Sequence, residues 1–441
     1  MEQNLLIGLA GLVCLIGLIA IRIPIAYSMI IVGGVGVTIL SGPAIFMSQL
    51  KDLAYAQFSI YDLSVVPMFV LMGNVATRVG LSRDLFRAAN AWMGWMRGGV
   101  AMSAIAACAG FGAVCGSSLA TASTMGKVAL PELRRYEYSP ALATGTLAAG
   151  GVLGILIPPS VVLVIYAIIV EANIVTMFMA AFIPGLIAVL LFLLTIAIYV
   201  IVRPGSGPPG EAVRREELFD ATLKVFPVLT IFALVIGGIY FGFFNPTPAA
   251  AVGVFLVAIY GLFRGALKLT DIRIALLETA KTTGMIYLIL LGAAMLSIFM
   301  SRGGVPMAAA DMMVSSGLSP YAILVLLLIA LIVLGCLMDS LSMLLLAIPF
   351  FWPVISELDF GMTEEDLKIW FGILALIVVE LGLITPPVGM NVFIISAQSR
   401  DVPMRETFIG VMPFFFAELV RVVILIAFPA ITLWLPSVLS G

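Results

Sequence analysis

The dipeptide Pro-Pro interrupts two long apolar stretches of this chain in matching settings. One reads Gly154-Ile155-Leu156-Ile157-Pro158-Pro159-Ser160 and the other Gly382-Leu383-Ile384-Thr385-Pro386-Pro387-Val388. Proline lacks a backbone donor and clashes with the preceding turn, so a double proline breaks a helix. In hydrocarbon the freed carbonyls must find partners, and irregular backbone persists only where it is buried in protein or lines a cavity.

That the surroundings are hydrocarbon follows from composition. Of 441 residues 62% are hydrophobic and 10% charged, against about 25% charged in soluble domains. Phe178 to Val202 holds 25 residues without a charge, and about 20 span a bilayer as a helix. Alternating strands of a β-barrel do not stand out. The first apolar stretch, Leu5–Ala20, lacks a basic flank, so it reads as a membrane helix rather than a cleavable signal. The fold class is an all-α polytopic membrane protein. Paired broken helices in corresponding positions of two halves point to the binding site of a secondary transporter.

Charge placement orients the chain. The clusters Arg78/Arg83/Arg87/Arg97, Arg134/Arg135, Arg203/Arg214/Arg215/Lys224, Arg264/Lys268/Arg273/Lys281 and Arg400/Arg405 are expected on the cytoplasmic side. The acidic connection from Val354 to Lys368 is expected outside. Helices near 4–21, 24–41 and 60–78 then cross in turn. Segment 99–133 enters and returns as a re-entrant hairpin, 140–170 is a broken helix, and 176–202 returns. Residues 1–202 form the first repeat and the Gly/Pro-rich 203–223 a cytoplasmic linker. The second repeat, 224–441, starts on the opposite side with helices near 225–244, 247–264 and 283–301. A hairpin at 319–353, a broken helix at 369–398 and a final helix at 408–437 follow. Stretches 43–58, 80–97 and 267–281 read as surface helices or as ordinary loops. An odd number of crossings per half makes the repeats inverted. The Pro-Pro sites lie 228 residues apart, and Pro24-Ile25-Ala26 and Pro248-Ala249-Ala250 lie 224 apart.

The candidate chemistry lies near the hairpin centres and the breaks. In the first hairpin, Gly116-Ser117-Ser118 and Thr121 sit in a run of small residues. That run suits close helix packing, and equally a tip whose carbonyls and hydroxyls hold a cation while its helix N-terminus meets an anion. In the second, Asp339-Ser340-Leu341-Ser342 puts a carboxylate inside an apolar run. A charge in the bilayer interior is by default functional, and Asp339 with Ser340 and Ser342 offers hard oxygens for a cation such as Na⁺. Asp339 is also a natural helix cap. Thr385, Gly389 and Asn391 surround the second break. Glu380, a turn and a half before Pro386, is a further buried charge that could face the bundle interior; Glu418 and Arg421, spaced i, i+3, read as a pair. With no histidine, His-based catalysis and His metal ligation are excluded. Cys14, Cys108, Cys115 and Cys336 read as small core residues. No enzyme signature, nucleotide loop or nucleic-acid signal is present.

These segments, with Val388-Gly389-Met390-Asn391, resemble the large membrane subunit of a tripartite ATP-independent periplasmic (TRAP) transporter, over essentially the whole chain. The resemblance implies an elevator-type fold of the ion-transporter superfamily, with a scaffold and a moving transport domain in a bacterial inner membrane. It implies Na⁺-driven uptake, with at least two Na⁺ sites, of an organic acid such as a C4-dicarboxylate, sialic acid or other sugar acid. Its partners would be a periplasmic substrate-binding protein and a small four-helix membrane subunit. Because the chain opens on a membrane helix, that subunit is expected as a separate polypeptide. By position, Na⁺ would be held by Ser117, Ser118, Pro158 and Ser160 at one site, and by Asp339, Ser340, Thr385 and Gly389 at the other. Substrate would touch Ser118, Thr121, Ser342 and Asn391. Two other readings stand beside this one: a self-sufficient Na⁺–carboxylate symporter of the same superfamily, and a non-transporting membrane scaffold.

Overall fold

The computed structural model describes residues 2–211, 214–315 and 317–439. Ala212 and Val213 of the expected linker, and Met1, Ser440 and Gly441 at the chain ends, lie outside the described residues.

Among the described residues the fold is all-helical, with twenty α-helices and no strand. This is the architecture in which each segment satisfies its own backbone in lipid. The first half runs α1 (Glu2–Ala20), α2 (Ile25–Ser41), α3 (Pro43–Phe58), a 3₁₀ turn at Tyr61–Ser64, α4 (Val65–Val79) and α5 (Leu81–Met93). It continues with α6 (Gly99–Cys115), α7 (Ser118–Arg135), α8 (Pro140–Leu156), α9 (Val161–Val170) and α10 (Ile174–Val202). The second half runs α11 (Arg215–Tyr240), α12 (Pro246–Phe263), α13 (Leu269–Gly303), α14 (Val305–Ser315), α15 (Pro320–Gly335) and α16 (Ser340–Ser356). It ends with α17 (Glu364–Gly382), α18 (Met390–Gln398), α19 (Met404–Ala427) and α20 (Ala430–Leu439). Seven helices are long and apolar enough to cross a membrane, or eight if α8 and α9, bent by 46° at their break, count as one span.

Several boundaries differ from expectation for local reasons. Segments 267–281 and 283–301 are one 35-residue helix, α13. A lone Gly284 costs only about 1 kcal/mol there, and the polar N-terminal end is held to α4, where Arg78 donates to Glu278 at 2.8 Å. Helix α11 begins at Arg215, inside the expected linker, with Glu216 and Glu217 in its first turn, where the helix dipole favours acids. The last expected helix is split at Pro429 into α19 and α20. Cys14 is exposed, unlike the other three cysteines, because α1 buries only Gly8 and Leu15.

Two packed groups emerge. In one, α2 lies along α13, and α12 along α4, with α1 beside α2 and α11 beside α12. The amphipathic α5 buries Leu81 and Leu85 and exposes Arg83 and Arg87. Its buried Asp84 accepts from Arg264, with Nη2 at 3.1 Å. In the other group α8 is central, flanked by α6, α7 and α19, and from Ala141 to Leu156 it is entirely buried.

Glycine makes that burial possible. A Cβ on Gly410 of α19 would lie 1.8 Å from the Ala141 carbonyl oxygen, and one on Gly145 would lie 2.3 Å from the backbone of Gly410. Gly410→Ala should therefore destabilise the protein by about 1–3 kcal/mol, the usual cost of overpacking. Gly17→Ala, with nothing within 4 Å of its Cβ, should be neutral or slightly stabilising. Thermal unfolding of both variants in detergent checks the contrast.

Candidate functional site

The α6–α7 pair turns at Gly116, whose φ of +62° is the left-handed region glycine tolerates. Ser117 then caps α7, its hydroxyl accepting the Ala120 N–H at 3.4 Å. This tip sits on the break between α8 and α9. A Cβ on Gly112 would lie 2.5 Å from Gly154 Cα, and one on Gly116 would lie 2.9 Å from the Pro159 carbonyl oxygen. Pro158, Pro159 and Ser160 are buried, and Ser160 caps α9 by accepting the Leu163 N–H at 3.4 Å.

The second tip is built alike from different residues. Asp339 caps α16, accepting the Ser342 N–H at 3.1 Å and its hydroxyl at 2.6 Å. Its capping role is thus realised, and Ser342 donates its one hydroxyl proton to it. The tip rests on the end of α17, where a Cβ on Gly382 would lie 2.7 Å from Gly335 Cα. Beyond Gly382 the chain is irregular up to Gly389, which has φ +60°. Thr385 donates its hydroxyl to the Leu381 carbonyl at 2.6 Å, and the Asn391 N–H reaches the Leu383 carbonyl at 3.0 Å. Pro386 and Pro387 are exposed, unlike their buried counterparts.

The halves exchange partners at their centre: α9 packs on α16, and α18 packs on α7 and α8. This moves Asn391, at the start of α18, to the first hairpin. Asn391 donates to the Ala148 carbonyl at 3.3 Å. Its Nδ2 and the Ser118 carbonyl both lie close to Gly151, within 2.9 and 3.2 Å of a Cβ built there. One turn on, Thr121 Oγ1 and the Ser117 carbonyl lie 2.4 and 2.7 Å from a Cβ on Gly154. Two oxygens in this cluster, Thr121 Oγ1 and Asn391 Oδ1, are buried without a hydrogen-bond partner. Ser117, Ser118, Thr121 and Asn391 are therefore one neighbourhood, whereas Ser342 belongs to the other tip with Asp339.

Glu380, expected from the sequence as a charge facing the bundle interior, supplies the link between the tips. Glu380, fully buried on α17, accepts the Ser340 hydroxyl at 2.5 Å on one carboxylate oxygen and the Ser118 hydroxyl on the other. The signal was available: Glu380 is the one charged residue between Lys368 and Arg400.

Between the tips and the first helix group lies a cavity of about 230 Å³. Ser117, Ser118, Asp339 and Ser340 face Asn74 of α4 and Thr282 of α13 across it, and no Lys or Arg lines it. No group of three or more His, Cys, Asp or Glu able to hold a metal exists among the described residues. The donors at hand are hydroxyl, amide and main-chain oxygens plus one carboxylate, a set for hard cations. The N-termini of α7 and α16 add partial positive charge for an anion.

Comparison with solved structures gives the fold, and comparison with sequences gives the family. A solved structure, the YdaH transporter of Alcanivorax borkumensis, shares the fold, with a TM-score of 0.63 at 14% identity over 90% of this chain and 89% of that one. The C4-dicarboxylate TRAP transporter large permease protein DctM of Pseudomonas aeruginosa is 35% identical over 86% of each chain. The sialic acid TRAP transporter large permease protein SiaM of Vibrio cholerae is 29% identical over 97% of each. The ectoine TRAP transporter large permease protein TeaC of Halomonas elongata is 30% identical over 96% of this chain and 97% of its own. Residues 12–431 match the family described as "Tripartite ATP-independent periplasmic transporter, DctM component", and the chain belongs to that family as a multi-pass subunit of the bacterial inner membrane.

Proposed function

We propose that this subunit imports an organic acid, a C4-dicarboxylate, sialic acid or other sugar acid, in symport with Na⁺. The acid would be delivered by a periplasmic binding protein, and a small membrane subunit would complete the complex. The observation that carries the cation is the pair of partnerless buried oxygens, Thr121 Oγ1 and Asn391 Oδ1. A buried polar atom without a partner costs about 1–3 kcal/mol, a cost that a cation bound there removes. One site would draw on Ser117, Ser118 and Thr121 with the main chain near Pro158 and Ser160, and Asn391 beside it. The other would draw on Asp339, Ser340 and the irregular backbone between Thr385 and Gly389. The acid would occupy the cavity between the tips, its carboxylate toward the N-termini of α7 and α16.

The recurrence of element order in the two halves, and the exchange of α9 and α18 between them, support inverted repeats at 1–202 and 224–441. The packing of α2, α4, α12 and α13 chiefly on one another supports a fixed scaffold beside a moving unit. Na⁺ is an adequate drive. Each Na⁺ moved inward down ~100 mV releases about 2.3 kcal/mol, and each negative charge on the acid takes the same amount back, so a hundredfold gradient of a dicarboxylate, about 2.7 kcal/mol, is matched by two Na⁺ through a tenfold Na⁺ concentration gradient, about 1.4 kcal/mol per ion.

Proteoliposomes holding both membrane subunits test this directly. Uptake of a labelled C4-dicarboxylate or sialic acid should require an inward Na⁺ gradient and the binding protein, and equal uptake in K⁺ would overturn the coupling. Uptake by this chain without the binding protein would favour the self-sufficient symporter. Thr121→Ala and Asn391→Ala should each raise the half-saturating Na⁺ concentration about tenfold or more, while a non-transporting scaffold would leave uptake unchanged in both.

A further inference from the structure

Two serines from opposite halves meet on one carboxylate. Ser118 opens α7 at the first tip and Ser340 opens α16 at the second. They lie 222 residues apart in sequence, and both donate to Glu380. All three residues are buried, at 1%, 4% and 0% exposure. The other buried charges nearby, Glu418 and Arg421, pair with each other. On α19, Arg421 donates to Glu418 and, at 3.1 Å, to the Pro184 carbonyl.

A serine hydroxyl has one proton and two lone pairs. When the proton is committed to a carboxylate, the oxygen's free lone pairs point away from that carboxylate. Ser118 and Ser340 both line the central cavity between the tips. Glu380 therefore fixes the rotor of each serine so that it presents acceptors, not a proton, to whatever lies on the tip side. This is the geometry by which an outer carboxylate orients the ligands of a bound cation.

We propose that Glu380 is a positioning residue shared by both cation cradles, holding Ser118 and Ser340 as oxygen donors and linking occupancy of one hairpin tip to the other. The inference rests on the Na⁺-coupled reading above and adds a component outside either cradle. Glu380→Gln keeps the shape of the side chain but supplies an amide that donates where the carboxylate accepted. At least one serine must then turn its proton toward the cradle, and the counter-charge is lost.

The test measures Na⁺ dependence in proteoliposomes with the whole complex. Wild type should show saturable Na⁺ activation. Glu380→Gln should raise half-saturating Na⁺ about tenfold or more, the range seen when outer-shell partners of bound ions are removed, with the maximal rate at saturating Na⁺ largely kept. Ser118→Ala and Ser340→Ala should each shift Na⁺ dependence in the wild type and add little in the Glu380→Gln background. A lowered maximal rate with an unchanged Na⁺ half-saturation, or fully additive serine effects, would overturn the proposal. Because transport can fail for other reasons, the Na⁺-induced rise in melting temperature of purified protein, with K⁺ as control, gives a second readout. It should need correspondingly more Na⁺ in Glu380→Gln, and an unchanged Na⁺ requirement overturns the role. If wild type itself shows no Na⁺ dependence, the underlying reading fails; if only the variant's Na⁺ dependence matches wild type, this inference alone fails.

Discussion

A helix interrupted inside hydrocarbon leaves N–H and C=O groups that lipid cannot satisfy, and the centre of this protein is organised around two such interruptions. Each break is met by a helix–turn–helix tip. The N-termini exposed there are answered by Ser117, Ser160 and Asp339 as caps. Each cap contributes about 1 kcal/mol and satisfies only one or two groups. The rest of the freed main chain is either covered by close packing or left facing a cavity. Close packing requires that no side chain intervene, which is why Gly112 meets Gly154 and Gly335 meets Gly382. The glycines and the prolines are thus two parts of one device. Proline opens the main chain, and glycine lets a second tip approach the opening.

The same region concentrates buried charge. A lone charge in the membrane interior is costly, yet Glu380, Glu418 and Arg421 are fully buried. Glu418 and Arg421 pair within one helix, and Arg421 also ties α19 to α10 through the Pro184 carbonyl. Removing one partner of such a pair typically costs about 3–5 kcal/mol, because the other is left as an uncompensated buried charge. Glu380 is solvated instead by two hydroxyls from different hairpins. The first pair lies within α19; Glu380 joins the two hairpin tips.

Much of this was legible in the sequence. The Pro-Pro breaks, the small-residue run at Gly116-Ser117-Ser118 and the charge at Asp339 stand out because each violates a rule for membrane helices. Pairings across the two halves were not legible. Asn391 read as part of the second break, and in sequence it is; only the exchange of α18 onto α7 and α8 brings it beside Thr121. Ser342 reads in sequence as a substrate contact; that its hydroxyl proton goes to Asp339, three residues earlier, is visible only in the structure. Glu380 could be flagged as a charge in an apolar run, but its partners lie 262 and 40 residues away. The fusion of 267–301 into α13 was missed because a polar surface pattern and an apolar span follow each other without a break, so the change in pattern mimicked a change of element.

The cavity's electrostatics bear on how an acid and a cation share it. Its lining holds Asp339 and no basic side chain. Two like charges about 4 Å apart repel by about 4 kcal/mol at the effective dielectric near a protein surface. A helix N-terminus offsets about 0.3–1 kcal/mol, up to about 2 in a buried setting. Two such termini, α7 and α16, therefore barely balance Asp339 alone, before the acid's own desolvation is counted. A cation seated at the tips reverses that sign. On the proposed reading, cation and acid then stabilise each other's binding, and the coupling is a property of the lining: an acidic tip, two weak helix dipoles, and no arginine or lysine to hold the acid in the cation's absence.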